Sequence, residues 1–171
     1  MKKIAVLAAL CLSINAYAEE ITGAFGYQFG DKIDISLGEV KKLEEGIEYI
    51  KLKTPPENFK QMNIAYTSDT QEIVSVIGFA TYKEQECLDK AAAYQKAIEE
   101  KYQGKMLRRI SMDDFSVELK QGDKFIGLSC NYDYKIKQST LTLSYGDNAR
   151  YFSAKERAAI QNAKQIDSSK L

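Results

Sequence analysis

Apolar positions recur along this chain with two periods, and each period predicts a different element. In Gln61 to Thr67, Met62, Ile64 and Tyr66 alternate with polar neighbours, the pattern of a strand with one buried face. Upstream, Ile47 to Thr54 is rich in β-branched and aromatic residues and stops at Pro55-Pro56. Downstream, the turn signal Thr67-Ser-Asp-Thr70 leads into Gln71 to Tyr82, a long apolar strand. Ile73, Ile77 and Phe79 are assigned to one face and Val74, Val76 and Ala80 to the other, so both sides are expected to be covered. The short link predicts an antiparallel hairpin.

From Glu84 to Tyr102 the period changes. Cys87, Ala91, Tyr94, Ile98 and Tyr102 return every three or four residues, which predicts an amphipathic helix. Thr81 to Glu84 has the spacing of a capping box, and Gly104 stands where glycine ends a helix. Strands follow near Phe115 to Lys120, Lys124 to Tyr134 and Thr140 to Tyr145, with Gln121-Gly-Asp123 and Lys135 to Ser139 as turns. A second helix is predicted from Ser153, capped by Ser153 and Glu156, with a thin apolar face of Ala159, Ile160, Ala163 and Ile166. Such a face packs weakly or packs on something outside the chain. Ser36 to Gly46 lacks a clear period and fits either one amphipathic turn of helix or a polar loop, of which the loop is preferred. The order implies an α+β fold: an antiparallel sheet of hairpin-linked strands, with a central and a C-terminal helix lying on one face.

The glycine-rich stretch Gly23 to Asp31, GAFGYQFGD, raises the question of a phosphate loop. A phosphate cradle needs a preceding strand and a following helix, whereas here the next residues, Lys32 to Ser36, alternate like a strand. Phe25, Tyr27 and Phe29 share one face at period two, so the stretch is assigned as the first strand of the sheet with three rings in the core.

Composition adds the compartment. Lys2 and Lys3, the apolar run from Ile4 to Ile14 and Ala16-Tyr-Ala18 have the order of an export signal cleaved after Ala18. Cys11 follows Leu10, not the small residue of a lipid-attachment site, and is expected to leave with the leader. Residues 19–171 then form a single domain with 22 basic and 24 acidic residues, after Lys2 and Lys3 are removed from 24 of each. That balance, with no basic block, argues against a nucleic-acid partner. No second apolar run could form an integral membrane segment. The expectation is a soluble periplasmic or secreted protein.

Cys87 and Cys130 remain. Each lies on the apolar face of its own element, the second beside Ile126, Leu128, Tyr132 and Tyr134, where helix and sheet would meet. In an oxidising compartment such a pair is expected to form a disulfide. A redox pair or a metal site is the alternative, but the chain has no CxxC and no histidine.

Candidate chemistry is sparse. Without histidine, His-based triads and His-containing metal sites are excluded, and no GxSxG, Walker or GxGxxG motif occurs. The adjacent carboxylates Glu44-Glu45, Glu99-Glu100 and Asp113-Asp114 could serve a glycosidase-like hydrolase, although solvated faces and turns explain each more simply. No catalytic residue, cofactor or metal is assigned. Four late tyrosines, Tyr132, Tyr134, Tyr145 and Tyr151, form the candidate binding surface, because tyrosine buries a ring while keeping a polar tip wet. The alternative is that they edge a small core.

FGYQFGD after a leader, TPPENFKQMNIAYTSDTQEIVSVIGFA, the Cys-bearing helix ending AIEEKYQGK, and LTLSYGD before a charged helix ending DSSKL together resemble a family of small exported bacterial proteins. The resemblance implies export and a shared fold but no activity. The family helix ends Lys-Tyr-Gly, whereas Gln103 here separates Tyr102 from Gly104. The function expected is a non-enzymatic periplasmic binding module with an envelope protein as partner. An envelope inhibitor or immunity protein, and a carboxylate-dependent hydrolase of cell-wall or sugar substrates, are the alternatives.

Overall fold

The computed structural model describes residues 18–108 and 115–168. β1 (Gly23–Ala24) and β2 (Tyr27–Gln28) form a small hairpin. The main antiparallel sheet contains β3 (Gly38–Glu44), β4 (Ile47–Leu52), β5 (Gln61–Thr67), β6 (Ile73–Tyr82), β7 (Leu107–Arg108), β8 (Phe115–Gln121), β9 (Lys124–Asp133) and β10 (Gln138–Asp147). Helix α1 (Glu84–Tyr102) links β6 to β7, and α2 (Asn148–Ser168) follows β10. The spatial order is β3-β4-β5-β6-β10-β9-β8-β7, so the last strand joins two meanders by lying between β6 and β9. The fold is α+β, as the alternating and helical periods predict.

Strand alternation gives the sheet two unlike faces. On the first, Ile50, Ile64, Val76, Leu128, Leu141 and Leu143 are buried beneath α1 and the N-terminal segment. Helix α1 presents Cys87, Ala91, Ile98 and Tyr102 to this core, and the predicted Cys87–Cys130 disulfide fastens it to β9 with a Cα separation of 6.1 Å. Closing a loop of this length, 43 residues apart in sequence, stabilises the fold by about 4 kcal/mol in the chain-entropy description. The second face is mostly polar on β9 and β10. Only at one end do Ile47, Ala65, Val74 and Ala154 form a small cluster under α2. The helices therefore lie on opposite faces, not together on one.

That second cluster exists because of a bulge. Tyr66 pairs with Ile73 and Ala65 with Ser75, which leaves Val74 as an extra residue. The bulge reverses the alternation, placing Ile73 in the core with Val76 and Ala80 and turning Val74 to the α2 side. Simple parity assigned Ile73 and Val74 to the opposite sides.

Several local expectations are corrected. Ser36 to Gly46 is not a loop: after a short 3-10 turn at Ile35–Leu37 it forms edge strand β3, held by backbone pairing with β4. Its apolar residues Val40 and Leu43 are exposed, which is why no burial period marks it. The opening stretch does not supply a strand of the main sheet: β1 and β2 pair with each other, and Gly30 and Asp31 meet β6 only through backbone bonds with Ile73. Phe25 (φ 55°) and Gly26 (φ 85°) form the two-residue turn of the β1–β2 hairpin, and positive φ at both positions is the requirement of a type I′ turn. Phe25 stands at the tip, edge-on to Phe59 at 5.2 Å and Tyr145 at 5.9 Å, while Tyr27 and Phe29 pack against the core.

Both helix starts also differ. Thr81 is engaged in the sheet opposite Thr140, so no Thr81–Glu84 box forms and Lys83 occupies the N-cap without a side-chain bond. The left-handed residue after α1 is Gln103 (φ 48°), not Gly104. Helix α2 begins at Asn148 rather than Ser153, where the Arg150 amide donates to Asp147 Oδ1 at 3.1 Å. Its seated face is Tyr151, Ala154, Lys155 and Ala158, whereas Ala159, Ile160 and Ala163 are exposed. The leader up to Tyr17, the Asp113-Asp114 pair and the Ile166 side chain lie outside the described residues.

Candidate binding surface

How α2 attaches decides what stays open. The backbone at Gly46 (φ 76°) comes so close that a Cβ there would stand 2.8 Å from the Ala154 carbonyl oxygen and from Ala158 Cβ. Around this apolar contact the helix is fastened by charge. Arg157 grips Asp69 with two bonds, Nε to Oδ2 at 2.7 Å and Nη2 to Oδ1 at 3.2 Å. Lys155 Nζ lies 2.8 Å from Glu44 Oε2, and Arg150 reaches both Glu72 and Asp147 at 3.3 Å. The hydrogen bond from Arg157 holds the Asp69 carboxyl below the usual carboxylate range.

Beyond this contact no described segment covers the second face. Thr140 and Thr142 of β10, Asn131 of β9 and Phe79 of β6 form the floor of an open groove of about 570 Å³. Tyr132, Tyr134 and the β9–β10 turn stand at its rim. The two tyrosine rings pack edge to face with centroids 4.9 Å apart. Asp133 Oδ1 accepts from the Lys135 amide at 2.8 Å, and Lys137 adopts φ 52°, so the turn has a defined shape. It presents Tyr134, 81% exposed, and Ile136, 58% exposed. A fixed aromatic pair beside a polar floor can bind a polypeptide segment through ring contacts and hydroxyl or amide hydrogen bonds.

The four tyrosines of the candidate surface do not form one patch. Tyr132 and Tyr134 line the rim of the groove at the end of β9, Tyr132 from a position with the parity of Cys130 and Tyr145 rather than from the open face. Tyr145 shares the parity of Leu141 and Leu143, so it is buried in the first-face core, where desolvation and the neighbouring Tyr102 and Tyr94 raise its hydroxyl pKa. Tyr151 lies half-buried at the base of α2, against Phe152 at 5.7 Å and beside a separate crevice of about 160 Å³ lined by Val74 and Phe125. No binding motif in the sequence marks Phe79, Asn131, Thr140 and Thr142 as site residues. Their signal is the strict alternation of Thr140, Thr142 and Ser144 with Leu141 and Leu143, which marks a strand whose second face stays wet.

Of the described carboxylate pairs, Glu44, Glu99 and Glu100 have structural partners. Glu44 pairs with Lys155, and Glu99 Oε1 accepts from Gln95 Nε2 at 3.1 Å and from the Met106 amide at 2.8 Å, closing the turn after α1. Those bonds hold the Glu99 pKa below its usual value. Glu100 lies 3.9 Å from Lys96 on the solvent side. Glu48 accepts from the Tyr66 hydroxyl at 2.9 Å; burial first, and this bond second, push the Tyr66 pKa up to about 12. Among the described residues no group of three or more Cys, Asp or Glu could hold a metal ion. No described helix is long and apolar enough to cross a membrane.

Comparison with known protein families, with curated proteins and with solved structures finds no match.

Proposed function

We propose that this chain is an exported, non-enzymatic binding module that takes a segment of an envelope protein into the groove between Phe79 and the Tyr132–Tyr134 pair. The observation that carries the proposal is Tyr134: a ring 81% exposed yet braced edge-on by Tyr132, at the end of a sheet face that no described segment covers. A ring already held in place loses little conformational freedom on binding, so such residues serve as anchors. The disulfide supports an oxidising compartment. Binding is favoured over carboxylate hydrolysis because Glu44, Glu48 and Glu99 are engaged in holding the fold together.

The test is affinity capture from envelope extract with the mature chain, run in parallel with Tyr134→Ala and Tyr132→Ala. A partner retained by the parent chain and lost with Tyr134→Ala is the result expected. Capture that is indifferent to both substitutions, or no specific capture, overturns the assignment of the groove.

A further inference from the structure

The open edge of the sheet has properties that the groove does not explain. β3 pairs with β4 on one side and with no described strand on the other. Leu37 O accepts from Lys53 N at 3.2 Å, which makes Leu37–Lys53 a hydrogen-bonded pair. The partners then continue as Gly38–Leu52, Glu39–Lys51, Val40–Ile50 and Lys41–Tyr49. Odd residues thus spend their backbone groups on β4, and Gly38, Val40 and Lys42 direct theirs outward. After Lys42 the register shifts, so the regular edge is the five residues from Gly38 to Lys42.

We propose that this edge pairs with β3 of a second copy of the chain, antiparallel, with Val40 on the two-fold axis. Only registers that join outward-facing residues of the same face are allowed, and charge decides between the two nearest. With Val40 opposite Val40, Gly38 meets Lys42, and each Glu39 stands opposite Lys41 of the other copy. With Lys41 on the axis, two lysines face each other and Glu39 meets Leu43 inside the bulge. The first register gives about six backbone hydrogen bonds and two reciprocal ion pairs, while the second sets like charges in direct opposition. Glu39 and Lys41 are 3.4 Å apart within one strand and both largely exposed, so they are available for this exchange. Lysines and a bulge on an edge are devices against indiscriminate pairing. Here they limit its length and permit one register.

Helix α2 extends the contact. It starts above β9 and β6 at Phe125 and Val74, passes Gly46, and reaches Lys42, Glu44 and Glu45 at Gln161 and Asn162. Its course therefore runs across the strands toward the β3 edge. Six further residues, to Ser168, carry the helix about 9 Å beyond Asn162. In the proposed pair this brings the helix end over Gly38 and Leu37 of the other copy, and Leu37 is 42% exposed.

Sedimentation velocity on the disulfide-intact mature chain is the primary measurement, and a concentration-dependent dimer is expected. Val40→Pro removes an outward amide without touching the β4 ladder and should give a monomer with unchanged circular dichroism. Lys41→Glu should raise the dimer dissociation constant about tenfold, and Glu39→Lys with Lys41→Glu should restore it; this pair decides the matter if the proline variant fails to fold. Val40→Cys should cross-link to itself under mild oxidation more readily than Lys41→Cys. A chain that stays monomeric at every soluble concentration overturns the proposal. So does a dimer indifferent to the charge exchange, or one that cross-links preferentially through Lys41→Cys.

Discussion

The two helices cover the two faces of one sheet by different means. α1 buries Cys87, Ala91, Ile98 and Tyr102 against a continuous apolar core and is covalently joined to it. Among its described side chains α2 buries one fully, Ala154, and is otherwise attached through Arg150, Lys155 and Arg157. Apolar burial is insensitive to salt and pH over the ordinary range, whereas partly exposed ion pairs contribute little each and weaken with both. The first face is thus permanently closed. Among the described residues the second is closed at one end only, by a helix whose local stability is a small part of the whole.

Removing the bond that distinguishes α1 should have the largest effect. Cys87→Ser or Cys130→Ser should cost about 4 kcal/mol and lower the melting temperature by about 10 °C. Calorimetry measures it, and a change no larger than that from the α2 substitutions would erase the contrast between the helices. Next, Gly46→Val places a branched side chain at a positive φ and against Ala154 and Ala158. It should cost about 2–3 kcal/mol, visible as faster hydrogen exchange over 148–162 while β5 and β6 keep their protection.

Arg157→Ala should cost about 1 kcal/mol or less, because the pair is partly exposed. Its pH signature follows from the depressed Asp69 pKa. A carboxyl whose folded pKa is lowered contributes fully above its unfolded value, and the contribution is lost as pH falls through the folded one. Acid should therefore loosen α2 before α1, and Arg157→Ala should weaken that early acid step. The smallest stability effect belongs to Tyr134→Ala, within about 0.5 kcal/mol, since the ring is exposed. A larger loss would assign Tyr134 to the fold instead of to recognition.

Most of the first face can be read from the sequence, because a buried surface imposes a period. The spans of α1 and β5 follow directly from it, as does the disulfide, whose cysteines each fall on an apolar stripe. What escapes is structure with no burial behind it. β3 is a strand through backbone pairing alone, with apolar and charged residues both exposed. Val74 is turned by a bulge that no composition signals, and that turn creates the seat for α2. The start of α2 was hidden by a competing signal: Ser153 and Glu156 have capping-box spacing, but Asp147 lies nearer the end of β10 and bonds the Arg150 amide first. Grouping the four tyrosines fails for a related reason. Proximity in sequence says nothing of parity, and parity sends Tyr145 into the core.

The central place of β10 has a consequence for how the chain reaches this state. Its pairs with β6 join residues 57 to 71 positions apart, whereas its pairs with β9 form a local hairpin. The sheet cannot close by adding strands in the order of synthesis; two incomplete half-sheets must wait, edges bare, for the last strand to enter between them. Such long-range closure is slow and leaves the intermediates prone to mispairing. Cys130 precedes β10, so the bond to Cys87 can form while the halves are still apart and tether one to the other. A cross-link that looks like reinforcement in the finished molecule acts earlier as a guide, shortening the search that the final strand has to complete.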